Sequence, residues 1–481
     1  MRILITLIIT VALCFQTDAQ DWSEVMKAVA SDKSVDDAYG QSVSVSGNYA
    51  IVGAYLEDED ASGGGSMSQS GSVYFLERDS EGNWSEVQKV VSSDRTAGDK
   101  FGFSVSISGN YAIVGASGED NDLNGGGLAF DAGSAYLFKR DDNGTWAELH
   151  KIVASDRAAQ DLFGYSVSIS GNFAVVGAYS EDHDANGGDA KSLAGSAYIF
   201  KNDGSDTWSQ IQKIVASDRE PGDRFGFSVS IDKDRLISGA YFEDHDASGD
   251  NTIDEAGSAY IFEKDGSDTW NEVQKIVAPE RFEDDNFGRS VSISGNYAIA
   301  GVHMEDQDAS EGGNMTDAGS AYIFERSGSG NWSLKQKAVA SNRAAGDNFG
   351  ISVSISNNNA IIGAWHANSD AGTSYIFERN GNGTWSEAQK LSASDNASGD
   401  RFGVAVSISN GFVLIGAHFK DDEGAAYFFE SSTISATRDN LFAASVTAYP
   451  NPTAGKTTIN LGDTFQDVEV TISNVVGQIV L

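Results

Sequence analysis

The chain has 481 residues, enough for two or three ordinary domains or one large repeat assembly, and it carries 53 glycines against 4 prolines. Lys and Arg total 32 while Asp and Glu total 70, a net charge of −38. That charge repels phosphate backbones and anionic membrane surfaces, which argues against nucleic acid as a partner and favours cations.

At the N-terminus, Arg2 precedes a mostly apolar run from Ile3 to Phe15, followed by Gln16, Thr17, Asp18 and Ala19. This pattern predicts a signal peptide over residues 1–19, cut before Gln20, and hence export. The apolar run is shorter than the ~20 residues that span a bilayer, so no integral membrane span is expected in the mature chain. Cys14, the single cysteine, lies inside this segment, which excludes disulfides, Cys-based zinc sites and a Cys nucleophile afterwards.

From Trp22 onward the chain repeats. Aromatic-Gly pairs stand at Tyr39-Gly40, Phe101-Gly102, Phe163-Gly164, Phe225-Gly226, Phe287-Gly288, Phe349-Gly350 and Phe402-Gly403, 62 residues apart five times and then 53. Trp22, Trp84, Trp146, Trp208, Trp270, Trp332 and Trp385 keep the same beat. Each unit reads as four short strands, in the second unit SVSIS, YAIVGA, SAYLF and WAELHKIVA, with Gly109-Asn110 forming a tight hairpin between the first two. Side chains grow from Ser, Val and Ile through Tyr and Phe to Trp, as they must in sheets that converge on an axis and diverge at a rim.

The pattern predicts an all-β fold, a seven-bladed β-propeller over residues 20–430. The chain starts with a lone Trp strand and stops repeating at a third strand, Ala426 to Phe429, so the N-terminal strand is expected to complete blade seven and close the ring. An open solenoid is the alternative, and it would leave both ends unpaired.

Aromatic-Gly, SVSISGN, IVGA and AGSAYIF in register resemble the FG-GAP repeat of integrin α-chain propellers and their bacterial relatives. The resemblance implies a calcium-stabilised extracellular module for recognition or adhesion. In that family the ions sit in DxDxDG-type loops, but the corresponding hairpin here is only Gly-Asn, so those ligand positions do not carry over.

Acidic residues gather one loop later, after the IVGA strand. They are Glu57, Asp58 and Asp60; Glu119, Asp120 and Asp122; Glu181, Asp182 and Asp184; Glu243, Asp244 and Asp246; Glu305, Asp306 and Asp308. A hard cation takes six to eight oxygens in flexible geometry, so calcium (Ca2+) suits these groups; the alternative is a solvated loop whose carboxylates cap turns. A second set, Asp37, Asp99, Asp161, Asp223, Asp285, Asp347 and Asp400, stands two residues before each aromatic-Gly and is expected to accept backbone N–H groups.

Variation between blades points to function. From the end of the IVGA-type strand to the next Gly, blades one to five span 17 residues, blade six spans 8 and blade seven 7, which predicts a notched rim. Directly after that strand stand Tyr55, Ser117, Tyr179, Tyr241, His303, Trp365 (followed by His366) and His418. These rings are candidates for stacking a sugar or peptide, uncovered beside the short loops, or else they are ordinary core. No GxSxG or HExxH motif accompanies the six histidines, and the paired carboxylates belong to the repeat itself.

A polar linker is read over residues 431–445. Residues 446–481, opening with the Tyr449-Pro450-Asn451-Pro452-Thr453 run, are similar to the first half of a type IX secretion C-terminal sorting domain, a partial β-sandwich-like tail. It implies handling by the secretion machinery, with efficient secretion in doubt because the final strands of such a domain are missing.

The sequence thus predicts a secreted or surface-displayed, non-catalytic propeller that recognises an extracellular protein or glycan. The competing readings are a glycan-active hydrolase or lyase and a ligand-free structural matrix protein.

Overall fold

The computed structural model describes residues 21–123, 125–308 and 313–432, and the backbone of Thr447–Tyr449 and Thr458–Asn460. The signal peptide expected over residues 1–19 and the linker after Ser432 lie outside the described residues. Of the tail, the described part is one antiparallel pair, Thr447–Tyr449 with Thr458–Asn460.

Residues 22–430 form seven four-stranded antiparallel sheets, the predicted propeller. Blade one is Ser42–Ser46, Tyr49–Ala54, Ser72–Arg78 and Trp84–Val90, in that order across the sheet. The period-two alternation of SVSIS turns Val and Ile into the core and leaves Ser half-buried, while the second and third strands, covered on both faces, are almost wholly apolar.

The small first strands meet at the axis. There each serine at the middle of SVSIS accepts a hydrogen bond from the backbone of the next blade. Ile107 N donates to Ser44 Oγ, Ile169 to Ser106, Ile231 to Ser168, Ile293 to Ser230 and Ile355 to Ser292, each at 3.1 Å. Ile408 N donates to Ser354 at 3.2 Å, and Val45 N to Ser407 at 3.1 Å, so the circuit of seven returns to blade one.

Glycine permits that approach. A Cβ on Gly53 would lie 2.0 Å from the carbonyl oxygen of Gly102 in the next blade, and the same contact recurs around the ring to Gly416, whose Cβ would meet Gly40 O at 1.9 Å. The aromatic-Gly glycine also has positive φ, +91° at Gly40 and +88° at Gly102.

At the rim, the gap between diverging blades is filled by tryptophan. Trp146 stacks on Phe75 of the preceding blade with ring centroids 4.2 Å apart, and Trp84 on Phe428 at 4.5 Å. The cores therefore lie between blades, as where Ile361, Ile376 and Leu391 of blade six pack with Trp22, Val413 and Ile415 of blade seven.

Closure follows the predicted scheme. Blade seven is ordered Trp22–Ala28, Ala425–Ser431, Phe412–Ala417, Val406–Ser409, so the first strand of the chain is its outer edge. Gln389 of blade six clamps this strand: its Oε1 accepts from Trp22 N and its Nε2 donates to Trp22 O, both at 2.7 Å. Ser394 donates to Glu24 at 2.8 Å from both its backbone N and its hydroxyl. Trp22 is 2% exposed, so Trp22→Ala should cost about 3–5 kcal/mol, the usual penalty for emptying a packed aromatic site. Thermal unfolding checks this, and an unchanged transition would show that closure contributes nothing.

Candidate functional site

The acidic loops divide their carboxylates among different tasks. The leading glutamates, Glu57, Glu119, Glu181, Glu243 and Glu305, are fully buried. Each pairs with a lysine of its blade's fourth strand: Lys89–Glu57 and Lys151–Glu119 at 3.4 Å, Lys213–Glu181 at 2.9 Å, Lys275–Glu243 at 2.7 Å and Lys337–Glu305 at 2.5 Å. Tyr74 and Tyr136 hydroxyls donate to Glu57 and Glu119 at 3.0 and 3.1 Å, and the Ser196 and Ser258 hydroxyls to Glu181 and Glu243 at 2.6 Å.

The next carboxylates, Asp58, Asp120, Asp182, Asp244 and Asp306, each accept the backbone N–H of a residue 11 positions later, from Gln69, Asp131, Leu193, Glu255 and Asp317. They tie each loop into a closed Ω-like shape. Asp60, Asp122, Asp184 and Asp246 accept N–H groups of their own turns, while Asp308 precedes residues outside the description.

Arginine fills the space between these loops and the next blade connection. Arg95 donates to Gly65 O at 2.7 Å and Asp58 O at 2.6 Å, Arg219 to Asp189 O and Asp182 O at 2.7 and 2.5 Å, and Arg343 to Gly313 O and Asp306 O at 3.0 and 2.9 Å. Arg157 and Arg281 occupy the same place. Where the loops are short, the residue changes with them: Asn396 donates to Gly372 O at 3.3 Å in blade six, and Lys33 pairs with Glu423 in blade seven. Sequence reasoning missed both the lysine and the arginine partners, although each recurs at the 62-residue beat.

In blade one a further carboxylate changes the picture. Among the described residues, Asp37, Glu57 and Glu59 are the one trio of potential metal ligands with oxygens within 4.8 Å of one another. Burial, then the Glu57 charge, pushes Asp37 up to about 7. Asn121, His183, His245 and Gln307 replace Glu59 in the other long loops, and the two histidines place Nδ1 3.0 Å from Glu181 and Glu243.

All seven inter-blade aspartates accept a backbone N–H from three residues earlier, as at Ser34→Asp37 (2.6 Å), Ala158→Asp161 (2.6 Å) and Ala397→Asp400 (2.7 Å). They shape the turn, as the sequence suggests. Burial raises Asp99, Asp161, Asp223 and Asp285 to about 7.

The residues after the second strands, Tyr55 to His418, ring the axial mouth on the face opposite the Gly-Asn hairpins. A second ring, unforeseen, comes from the residue after each aromatic-Gly: Gln41, Phe103, Tyr165, Phe227, Arg289, Ile351 and Val404. Over blades one to four the two sets interlock. Phe103 lies 4.8 Å from Tyr165 and 5.3 Å from Tyr55, Tyr165 lies 4.5 Å from Tyr179 and 4.9 Å from Phe227, and Phe227 lies 4.2 Å from Tyr241.

The notch takes a different form from that expected. Trp365 is half-buried, its indole N–H donating to Asn348 Oδ1 at 3.2 Å and its ring 5.0 Å from the Arg401 guanidinium. His366 pairs with Asp370 at 2.5 Å. His418, expected to be uncovered, is buried, because Phe419 folds over it at 4.1 Å and the tight turn Lys420–Asp422 replaces the long loop. Tyr241 and His303 are buried as well. What the short loops leave open is a cleft of about 530 Å³ bordered by Asp370, Asp400, Arg401, Phe419, Asp421 and Asp422.

Comparison with known families bears on this architecture. The FG-GAP repeat matches residues 22–76, 84–138, 146–200, 208–262, 270–324, 332–377 and 385–429, and a secretion system C-terminal sorting domain matches residues 447–481. None of the curated proteins searched matches the chain.

The raised aspartates carry a pH signature. Folded Asp223 holds a proton to about pH 7, whereas the unfolded carboxyl releases it near 3.8. Its contribution is therefore full below about pH 3.8 and is lost as pH rises through 7. Asp223→Asn, which mimics the protonated group, should raise the melting temperature at pH 8 more than at pH 5; equal shifts would contradict the buried-proton assignment.

Proposed function

We propose that this chain, which belongs to the FG-GAP repeat family, works outside the cell as a non-catalytic recognition or adhesion module stabilised by calcium. The sorting domain makes it cargo of type IX secretion, secreted or held at the cell surface. Among the described residues, no helix is long and apolar enough to cross a membrane.

One observation carries the recognition reading. Ser, Gly and Val or Ile positions that build the axis hardly change from blade to blade, whereas the two rings at one axial mouth vary from Gln to Phe, Arg, His and Trp. Residues needed to build the ring should be uniform, and residues that read an asymmetric ligand should not. Tyr55, Tyr179, Tyr241, His303, Trp365, His366 and His418 are then contact or supporting residues of that face.

The histidines favour binding over catalysis. His183, His245 and His366 face carboxylates, and His150 Nε2 lies 2.7 Å from the Asp206 carbonyl. Burial, then the nearby Arg289 and Arg401 charges, lowers His303 to about 3 and His418 to about 4, leaving both neutral at physiological pH. Trp365→Ala should abolish or weaken capture on glycan and extracellular-protein arrays, and retention of every captured ligand would remove Trp365 from the site.

For calcium, the residues best placed are Asp37, Glu57 and Glu59, which together offer a hard, oxygen-only donor set. Glu59 Oε2 is buried without a hydrogen-bond partner, so a cation there would satisfy it and ease the repulsion on Asp37. The other long loops lack this third carboxylate, with Asn121, His183, His245 and Gln307 in the place of Glu59. Saturating calcium at a hundredfold its Kd should stabilise the fold by about 2.7 kcal/mol, and Glu59→Gln should remove the gain. Identical melting curves in calcium and in chelator would dispose of the ion.

A further inference from the structure

In a chain of net charge −38, an arginine without a carboxylate partner is unexpected, because 70 acidic side chains compete for each cation. Among the described residues, Arg78, Arg140, Arg326 and Arg379 pair with glutamates, and the loop arginines bind carbonyls. Arg235 pairs with Asp234 and Glu263. Arg224, Arg289 and Arg401 do neither; Arg401 lies against Trp365 and Phe419 beside the short loops, at 5.0 and 4.6 Å, whereas the other two stand together. Arg289 lies 4.9 Å from the Phe227 ring centroid and 5.6 Å from that of Tyr241. Arg224 lies over Tyr179, Tyr241 and Phe242 at 5.7, 5.5 and 4.2 Å, and donates a hydrogen bond to the Tyr241 hydroxyl. Ring faces hold a guanidinium in place without neutralising it.

Both arginines stand at the same stretch of the axial mouth, on blades four and five, beside Tyr165 and Tyr179 of blade three. Their charges act on the Tyr165 and Tyr241 hydroxyls, and Arg289 acts on His303. His303 is 5% exposed, and its Nδ1 has no hydrogen-bond partner. A buried, unpartnered ring nitrogen beside the Arg289 guanidinium, which has no carboxylate ion pair, marks a place where something polar is missing.

We infer that the mouth of blades three to five binds a carboxylate-bearing sugar, a uronate residue, through Arg224 and Arg289, with Tyr165, Tyr179, Tyr241 and His303 around it. This rests on the reading that the variable axial face recognises a ligand. The guanidinium fork matches a carboxylate in two parallel hydrogen bonds. Tyrosine supplies an apolar face for a sugar ring and a hydroxyl for its alcohols. A peptide that binds by strand addition would need a free sheet edge, and at the inner strands an N–H of each of these blades is already donated to the neighbouring blade's serine. The acidic remainder of the surface repels a polyanion, so attachment should be confined to this mouth.

Calorimetry on the full secreted chain tests this with three probes: tetragalacturonate, neutral cellotetraose and a hexaglutamate peptide. Tetragalacturonate should bind with a Kd below about 1 mM, and Arg289→Gln and Arg224→Gln should each weaken it about tenfold or more at unchanged melting temperature. Lys233→Gln, at the hairpin on the opposite face, should change nothing. Uronate binding indifferent to Arg289→Gln, or no uronate binding at all, overturns the inference. If cellotetraose binds and Tyr179→Ala abolishes it, the face recognises a ligand but the anion assignment falls. Arg289-dependent binding of hexaglutamate in preference to tetragalacturonate replaces the sugar with an acidic peptide.

Discussion

The structure depends on backbone meeting backbone at the axis. A methyl group on Gly53 would sit 2.0 Å from Gly102 O, and equivalents at Gly115, Gly177, Gly239, Gly301, Gly363 and Gly416 would meet the next blade at 1.9 to 2.1 Å. No side chain other than hydrogen fits. With the strands this close, the serine hydroxyls of SVSIS reach across to the neighbouring backbone, and the parallel bridges Gly71 to Phe101 and Gly424 to Tyr39 join each third strand to the following connection. The wedge angle of every blade is thereby fixed, and the diverging rim must be filled by something as large as tryptophan.

The same geometry sorts the charges. Burying five glutamates would be prohibitive alone, because desolvation of an ion costs several kcal/mol. Each is matched to a lysine and to hydroxyl donors, so the network specifies how a long loop sits on its blade. Arginine closes the other side of each loop by taking its carbonyl oxygens. The five loop glutamates are thus electrically paired, whereas the buried inter-blade aspartates rest on backbone N–H groups and a raised affinity for the proton. Against that background the Arg224 and Arg289 guanidinium groups at the axial mouth stand out, held by aromatic faces and without a carboxylate ion pair.

The long-range fold was legible because repetition amplifies weak signals. A single Phe-Gly or Trp means little, but seven in register define strand order, blade number and the complementary ends at Trp22 and Phe429. The inter-blade aspartates were legible for a local reason: their partner lies three residues away. The acidic loops were only half legible. Glu57 and Asp58 are neighbours in the chain, yet one turns inward to Lys89 and the other caps Gln69, partners 32 and 11 residues away. His418 was misjudged because a short loop was equated with an open one, whereas Phe419 and Lys420 fold back as a lid.

By itself, then, the sequence determined the periodic part of this protein: strand alternation, glycine at the crowded centre, tryptophan at the rim, and seven units closed by the first strand. Those features are set by local sterics and by a pattern that seven repeats in register display. Which side chains of different blades come together was decided only by the tertiary structure, since Tyr165, Arg224, Arg289 and His303 are spread over some 140 residues and belong to three blades. Ring closure brings them to one mouth, and the physical reason is that a circular array converts equal sequence spacing into spatial adjacency at the axis.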